Sequence, residues 1–245
     1  MVSRSEGTLA RALEGLAAGK FVLLYDADGR EEETDIFVAA ERATPEAVRT
    51  LRRDAGGLVF LAVAPQFGRR FGLPFLQDLY AENAERHPVL ADLVPNDIKY
   101  DSRSSFSLTL NHRKTFTGIT DNDRSLTITE FARTCREAMD LPEAEARRLL
   151  GARFRAPGHV HLCVGAEGLL ARRQGHTELA VALAELAGVT PVVAGAEMLG
   201  DDGRALPREA AERWAVAHGA VRLDGAEVAR AWEKLNGART VPALR

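Results

Sequence analysis

The sequence has few cysteines, few aromatic residues and no long apolar segment. Its two cysteines, Cys135 and Cys163, do not form the Cys-x-x-Cys spacing typical of a structural zinc site. We expect them to be buried or unreactive thiols in a reducing compartment, which favours a cytoplasmic protein. No apolar run reaches the roughly 20 residues that span a bilayer, so no membrane partner is expected. The N-terminal pattern also lacks the continuous apolar core of a signal peptide.

A large basic field is also missing. The formal net charge is -3 and aromatic residues make up 6% of the 245 residues. A nucleic-acid surface needs clustered positive charge and exposed rings, so we expect no nucleic-acid partner. A nucleotide- or RNA-binding module on a related α+β fold is the alternative from another functional class. The motifs GxGxxG, HExxH and GxSxG are absent from the sequence.

Strand-like and helical segments alternate along the chain. Strand patterns cover 21–26, 35–41, 58–65, 106–110, 159–165, 191–199 and a short VRL near 221. Helical patterns cover 5–20, 44–55, 175–188, 207–219, the segment that ends at Met139 and the segment after Asp224, which can cap it. Residues 66–104 predict short helical pieces, and 140–158 predict polar, irregular chain. We predict one α+β domain, residues 1–245, with helices packed around a mixed β-sheet.

The most unusual segment is YDADGREEETDIFVAAE, residues 25–41. Six acids lie between Asp26 and Asp35, with Arg30 among them. A solvated hairpin connection is the ordinary interpretation of a short charge run. However, so many carboxylates repel one another unless a cation, an arginine or shared protons offset the repulsion. Repulsion should raise some of their pKa values, and dense carboxylate oxygens suit Mg²⁺ or Mn²⁺. The segment therefore indicates a cation site.

A second segment, ARRQGHTELAV (171–181), predicts an anion site. Its arginines precede Gly175, after which His176 and Thr177 open an apolar helix. A helix N-terminus offers free N–H groups and a favourable dipole, and arginine adds a fork for phosphate oxygens. The alternative is that Thr177 is an ordinary cap and that His176 is structural.

Two further segments carry weaker signals. In PGHVH, residues 157–161, His159 and His161 would share one face of a strand and could bind metal, although such histidines are more often packed or exposed. The segment NHRKTFTGITDNDRS, residues 111–125, fits either a binding loop or a well-capped helix start.

Taken in order, several segments resemble the 3,4-dihydroxy-2-butanone 4-phosphate synthase family in its archaeal-like form. They are YDADGREEETD with the following AAE, DAGGL (54–58), NHRKTFTGITDNDR, PGHV, RQGHTE and AEMLGDDG (196–203). The resemblance as a whole extends over roughly residues 8 to 235. The chain departs from the family at Gly29, where another acid is common, and at Glu32, where Gly or Asn is frequent. It lacks the cysteine cluster of a fused GTP cyclohydrolase, so we expect a monofunctional protein.

The resemblance implies a lyase of riboflavin biosynthesis. Its substrate would be D-ribulose 5-phosphate, its products formate and 3,4-dihydroxy-2-butanone 4-phosphate, and its cofactor Mg²⁺ or Mn²⁺. Enediol intermediates would need acid and base groups near several carbons and a metal to stabilise negative charge. A homodimer with sites near the subunit boundary is also implied. The runner-up is another metal-dependent sugar-phosphate lyase or isomerase, which would bind the same substrate without releasing formate.

The resemblance also implies a role for individual residues. It assigns the metal to Glu31 and His176, and substrate contacts to Arg30, Asp35 and Glu197. The remaining substrate-binding residues that it implies are Glu31, Thr117, Arg173, Gln174, Gly175, His176 and Thr177.

Acid–base and supporting roles complete the expected site. The resemblance makes Glu197 and Asp35 the proton-transfer candidates and makes His159 necessary for activity. Glu33, Asp26 and Thr117 are weaker candidates, with Glu33 counted among the catalytic residues. We expect Glu32 to be solvated and to tolerate mutation best among the acids.

Overall fold

One seven-stranded sheet lies at the centre of the protein. The computed structural model describes residues 4–101 and 103–240. Within them the strands are β1 (Val22–Tyr25), β2 (Thr34–Ala39), β3 (Phe60–Val63), β4 (Phe106–His112), β5 (Phe154–Val164), β6 (Val192–Glu197) and β7 (Val221–Asp224). The two ends of the predicted domain, residues 1 and 245, lie outside the described residues.

The strand order is β4-β5-β3-β6-β2-β1-β7. Two neighbouring pairs are parallel, β1 with β7 and β3 with β5. The other four pairs, β1–β2, β2–β6, β3–β6 and β4–β5, are antiparallel. This mixed sheet confirms the predicted α+β class.

Helices pack around the sheet. In the described part of the chain they are α1 (Arg4–Ala17), α2 (Pro45–Thr50), α3 (Pro65–Phe71), α4 (Leu76–Glu82), α5 (Val89–Asp92), α6 (Asp121–Ala138), α7 (Glu143–Arg153), α8 (His176–Leu186), α9 (Arg208–Ala217) and α10 (Gly225–Thr240). A π-helical turn, Leu51–Ala55, extends α2. Among these residues no helix combines the length and apolarity that a bilayer crossing requires.

Side chains at helix starts behave largely as the sequence predicts. Thr44 and Thr120 each accept a hydrogen bond from a backbone N–H of the first turn, at 3.2 and 3.1 Å. These caps agree with the predicted start at Thr44 and with a capped helix in the 111–125 segment. Asp224 stands just before α10, but its carboxylate accepts hydrogen bonds from Arg208 and Arg222.

The prediction of irregular chain over 140–158 is wrong. This segment contains α7 and the first part of β5. The helix buries only a thin stripe around Ala146, so its apolar period is weak. Acids at Glu143 and Glu145 and a base at Arg153 match the helix dipole and favour it. The 111–125 loop also begins later than predicted, because Asn111 and His112 still belong to β4.

The central strands are buried on both faces and end together on one side of the sheet. All residues of β1, β2 and β3 are buried, as are nine consecutive residues of α8 from His176 onwards. The register pairs Asp35 with Glu197 and Phe60 with Gly195. The end of β1, the start of β2, the end of β6 and the start of β3 therefore lie at the same end of the sheet.

Both cysteines are free and buried, in α6 and in β5, as expected. Burial raises the pKa of each thiol well above its ordinary range. The thiolate, which is the reactive form, is therefore scarce at neutral pH.

A glycine pair tests the packing of the sheet. A Cβ at Gly195 would lie 2.4 Å from the buried Phe37 ring on the neighbouring strand, whereas a Cβ at Gly151, in α7, would meet open space. We expect Gly195→Ala to lower the free energy of unfolding by about 1–3 kcal/mol through overpacking. We expect Gly151→Ala to raise it by up to about 1 kcal/mol, because alanine favours the helix. Urea denaturation measures both, and a Gly195→Ala protein as stable as the wild type would contradict this packing.

Candidate active site

The acidic connection between β1 and β2 is folded around Asp26. Its two carboxylate oxygens accept hydrogen bonds from the backbone N–H groups of Glu31 and Glu33, at 3.0 and 3.1 Å. Gly29 and Glu32 both have positive φ, 79° and 59°, and the Gly29 N–H donates to the Glu32 carboxylate at 2.8 Å. Glu32 is exposed, but it is not merely solvated as expected, because it closes the turn.

His176 lies at the first position of α8 and faces the acidic connection. Its Nδ1 is 3.1 Å from the Glu31 carboxylate, and its Nε2 is 3.2 Å from the backbone oxygen of Glu33. The preceding Gly175 is the N-cap, so Thr177 is not the cap of this helix. A Cβ at Gly175 would meet the guanidinium groups of Arg173 and Arg30, which explains a glycine there.

Asp35 and Glu197 lie side by side because their Cα atoms are paired in the β2–β6 register. The Asp35 side chain is fully buried, and its Oδ1 has no hydrogen-bond partner among the described residues. That oxygen lies 3.7 Å from Nε2 of His176. Glu197 accepts a hydrogen bond from the Leu58 N–H at 2.7 Å. We call Glu31, Glu33, Asp35 and Glu197 the carboxylate cluster.

Two members of the carboxylate cluster, Asp35 and Glu33, have raised pKa values. Burial raises the pKa of Asp35 to about 8, and Glu197 and Glu31 add to this against the attraction of His176. Burial and repulsion from Glu31 and Glu197 also raise the pKa of Glu33. These two shifts agree with the expected effect of crowded acids, although burial is the larger cause.

His176 and Glu31 behave as partners. Burial disfavours the charged imidazole, but the charge of Asp35 and the hydrogen bond to Glu31 outweigh it and raise the His176 pKa to about 9. Burial opposes ionisation of Glu31 too, yet its hydrogen bond from His176 and the charge of Arg30 lower its pKa. Protons in this cluster therefore belong to coupled groups.

Two arginines, Arg30 and Arg173, lie beside the carboxylate cluster, and we call them the arginine pair. Arg173 donates from Nε and Nη2 to the two oxygens of Asp101, at 3.0 and 2.6 Å, and also pairs with the buried Glu178. Arg30 donates to Asp101 at 2.7 Å and to Asp26 at 3.1 Å. One aspartate thus joins both arginines.

A cavity of about 290 Å³ opens over these groups. The predicted site residues that line it are Glu31, Glu33, Asp35, Arg173, His176, Thr177 and Glu197. Residues that sequence reasoning missed include Tyr100, Asp101, Ser104, Ser105, Phe106 and Cys163. One signal pointed to Asp101: it lies in a polar stretch directly before the predicted strand FSLTL, and residues at strand ends commonly bind ligands.

Several predicted site residues lie elsewhere. Gln174 is exposed, and Arg30 does not line the cavity but contacts its lining residues Glu31 and Asp101. His159 is exposed on β5, and its Nδ1 lies 3.1 Å from the side-chain nitrogen of Asn111. The same nitrogen donates to the backbone oxygen of Thr117 at 3.3 Å. His159 and Thr117 therefore form a second group, which does not line the cavity.

Three side chains offer ligand atoms for a cation. Atoms of Asp26, Glu31 and His176 lie within 4.8 Å of one another. Asp26 already accepts two backbone N–H groups and a guanidinium, so its oxygens are occupied. Glu31 and His176 line the cavity. The carboxylate suits Mg²⁺ or Mn²⁺, and the imidazole, a less usual ligand for Mg²⁺, is acceptable to Mn²⁺. The donor set therefore fits the expected ion.

Sequence comparison gives a consistent family. Residues 10–231 match the family model described as 3,4-dihydroxy-2-butanone 4-phosphate synthase. The chain is 46% identical to the enzyme of that name from Methanothermobacter thermautotrophicus, over 90% of this chain and 93% of the relative. It is 44% identical to the one from Methanosarcina mazei, over 93% and 92% of the two chains.

Solved structures agree with the fold. The 3,4-dihydroxy-2-butanone 4-phosphate synthase of Candida albicans is 26% identical and superposes with a TM-score of 0.68, over 91% of this chain and 95% of that one. Another synthase structure, in complex with two magnesium ions, is 23% identical with a TM-score of 0.69, over 94% and 98%. At that identity the second match supports the shared fold alone.

Asp26 and Glu32 provide a matched test of the acidic connection. Asp26→Ala removes the acceptor of two backbone N–H groups in a buried place, so we expect it to lower the free energy of unfolding by about 1–3 kcal/mol. In Glu32→Gln the amide oxygen still accepts from Gly29 at the surface, and we expect a change within about 0.5 kcal/mol. Urea denaturation measures both variants. Equal stabilities would mean that Asp26 does not organise this connection.

Proposed function

The chain belongs to the 3,4-dihydroxy-2-butanone 4-phosphate synthase family, and from this premise we propose that its cavity is the site of the family's reaction. The reaction is the lyase step of riboflavin biosynthesis that converts D-ribulose 5-phosphate into 3,4-dihydroxy-2-butanone 4-phosphate and formate. The observation that carries this placement is the 3.1 Å contact between Glu31 and His176, in a cavity that also holds Asp35 and Glu197.

The phosphate end of the substrate would lie at the start of α8. Free N–H groups of the first turn, near Gly175 and Thr177, attract an anion, and the helix dipole adds to that attraction. Arg173 reaches the same side of the cavity and supplies a planar fork of donors. Gln174 lies between these groups in sequence but is exposed, so we give it only a peripheral contact.

Glu31 and His176 would hold a divalent ion, Mg²⁺ or Mn²⁺. Two protein ligands are enough for one ion, because Mg²⁺ usually keeps water or substrate oxygens in its remaining coordination positions. When bound, such an ion stabilises negative charge on substrate oxygens. Arg30 contacts Glu31 at 2.9 Å and would hold that carboxylate ionised and in place.

Proton transfer would fall to the buried acids. Asp35 has a pKa of about 8 and an unpaired Oδ1, so this oxygen can carry a proton and exchange it with a substrate hydroxyl near neutral pH. Glu197 lies beside it in the register and lines the same cavity. Glu33, whose pKa is also raised, is the third candidate. Three acids along one wall supply proton donors and acceptors for several neighbouring carbons.

We propose that the protein is a homodimer and that a second copy brings His159 and Thr117 to the cavity. His159 is four residues from Cys163, or about 13 Å along β5, and only Cys163 of these two lines the cavity. Beside Thr117, Phe116 is 93% exposed and Ile119 is 50% exposed. Such exposed apolar side chains fit a subunit contact.

The proposal includes a cytoplasmic protein with a single catalytic domain over 1–245. Two free buried thiols are in keeping with a reducing compartment. The family match over residues 10–231 is in keeping with one domain.

Formate release tests the proposed function. We expect the purified protein with Mg²⁺ to release formate from D-ribulose 5-phosphate, measured with a coupled formate dehydrogenase assay. Glu31→Gln and His176→Ala should each lower the rate by at least about 100-fold, because each removes a proposed ligand. Glu32→Gln is the matched control and should keep most of the activity.

Two outcomes would count against the proposal. Binding of the substrate without formate would favour another sugar-phosphate lyase or isomerase. Full activity in Glu31→Gln or His176→Ala, with a wild-type circular dichroism spectrum, would contradict the proposed ligands.

Mixed dimers test the second copy. His159→Ala and His176→Ala proteins should each be inactive. Co-refolding equal amounts should restore formate release to about a quarter of the wild-type rate, because about half of the dimers are mixed and one of the two sites in each mixed dimer is intact. A mixture of Glu31→Gln and His176→Ala, whose changes fall in the same half of the site, should restore none. If the first mixture also stays inactive, His159 acts within its own chain.

A further inference from the structure

Asp101 has an unusual place, because it binds both members of the arginine pair. Its Oδ1 accepts from Nε of Arg173, and its Oδ2 accepts from Nη2 of Arg173 and from Nη2 of Arg30, at 3.0, 2.6 and 2.7 Å. Every hydrogen bond that the described residues give to this side chain comes from one of these two arginines. Neither the family's segments in this sequence nor the proposed mechanism assigns Asp101 a role.

The geometry of this contact is that of a bound anion. Two parallel N–H groups of one guanidinium hold two oxygens of one acidic group, which is how arginine binds carboxylate and phosphate alike. Arg173 and Asp101 both line the cavity beside Thr177, at the start of α8. The Asp101 carboxylate thus occupies donors that the proposed phosphate position would need.

Carboxylates already outnumber the two arginines at the arginine pair. Four carboxylates form ion pairs with the two arginines: Asp26, Glu31, Asp101 and Glu178. A phosphomonoester brings up to two further negative charges, so a bound phosphoryl group and all four carboxylates would repel strongly in this half-enclosed place.

Asp101 is the carboxylate of this group that can leave most easily. The side chains of Asp26 and Glu178 are fully buried and accept backbone N–H groups, from Glu31 and Glu33 and from Ala166. The Glu31 side chain is more exposed, at 24%, but His176 holds it in addition to Arg30. The Asp101 side chain is 13% exposed, and its neighbour Tyr100 is half exposed. A rotation of the side chain towards solvent would release the fork.

We propose that Asp101 is an exchangeable counter-ion of the phosphate site. Its carboxylate holds the arginine pair in position in the free protein, and the phosphoryl group of the substrate displaces it. The proposal rests on the proposed function, since it takes Arg173 to be a phosphate ligand. It gives Asp101 a part in specificity, because an uncharged sugar offers no anion that could displace it.

Phosphate affinity separates this role from a purely structural one. If Asp101 is exchangeable, then Asp101→Asn removes a competing anion, and inorganic phosphate should bind about tenfold more tightly than to the wild type. If Asp101 is only a clasp that orients the arginines, the same change should weaken phosphate binding. Isothermal titration calorimetry with inorganic phosphate, at fixed ionic strength, measures the difference.

Asp78→Asn is the matched control. Asp78 is an exposed acid that pairs with Arg103, an exposed arginine that also lines the cavity, so its change removes the same charge and frees an arginine outside the arginine pair. We expect its phosphate affinity to equal that of the wild type. If Asp101→Asn does not fold, Asp101→Ser removes the same carboxylate and should show the same tighter binding.

Three results would overturn the proposal. They are phosphate affinity in Asp101→Asn that is unchanged or weaker, equal tightening in Asp78→Asn, and no phosphate binding by any of the proteins. The titration requires no turnover. Failure to form formate would therefore count against the proposed function, whereas a difference in phosphate affinity between Asp101→Asn and the wild type counts for or against Asp101 alone.

Discussion

Mutual repulsion among carboxylates at one end of the sheet is the constraint on which the rest of the site depends. Glu31, Asp35 and Glu197 lie close together there, and such a group is unstable in a buried place unless cations or protons balance it. The balance comes from elsewhere in the chain: His176 begins a helix more than 140 positions after Glu31, and Arg173 precedes it. The fold brings them together because β2 and β6 are neighbours and α8 packs across the sheet.

The local backbone makes this arrangement possible. The buried Asp26 carboxylate accepts hydrogen bonds from backbone N–H groups of its own connection, so its oxygens bind the chain rather than a ligand. Glu32 does the same at the surface by closing the turn with Gly29. The six acids therefore divide by partner. Asp26 and Glu32 shape the connection, Asp28 accepts hydrogen bonds from Tyr25 and Arg208, and Glu31, Glu33 and Asp35 face the cavity.

Periodicity and turn chemistry allowed most of the fold to be predicted, because buried strands such as Val22–Tyr25 and capped helices such as the one after Thr44 leave strong local patterns. The stretch 140–158 was missed because α7 buries too little for its period to show. The resemblance supplied seven residues of the cavity wall. It did not supply Asp101, because an isolated acid in irregular chain has no period, and its partners Arg30 and Arg173 are distant in sequence.

The burial of α8 has a consequence for redesign. His176 is the first residue of a helix whose next eight residues are all buried, including Leu179 and Leu183, so the imidazole is fixed by the same packing that holds the core together. A second wall of the cavity, which includes Asp101 and Ser104, has irregular backbone at these two residues and partly exposed side chains. Directed evolution towards other sugar phosphates would therefore find tolerated variation on that wall, while changes along α8 would be lost to misfolding before selection could act on them.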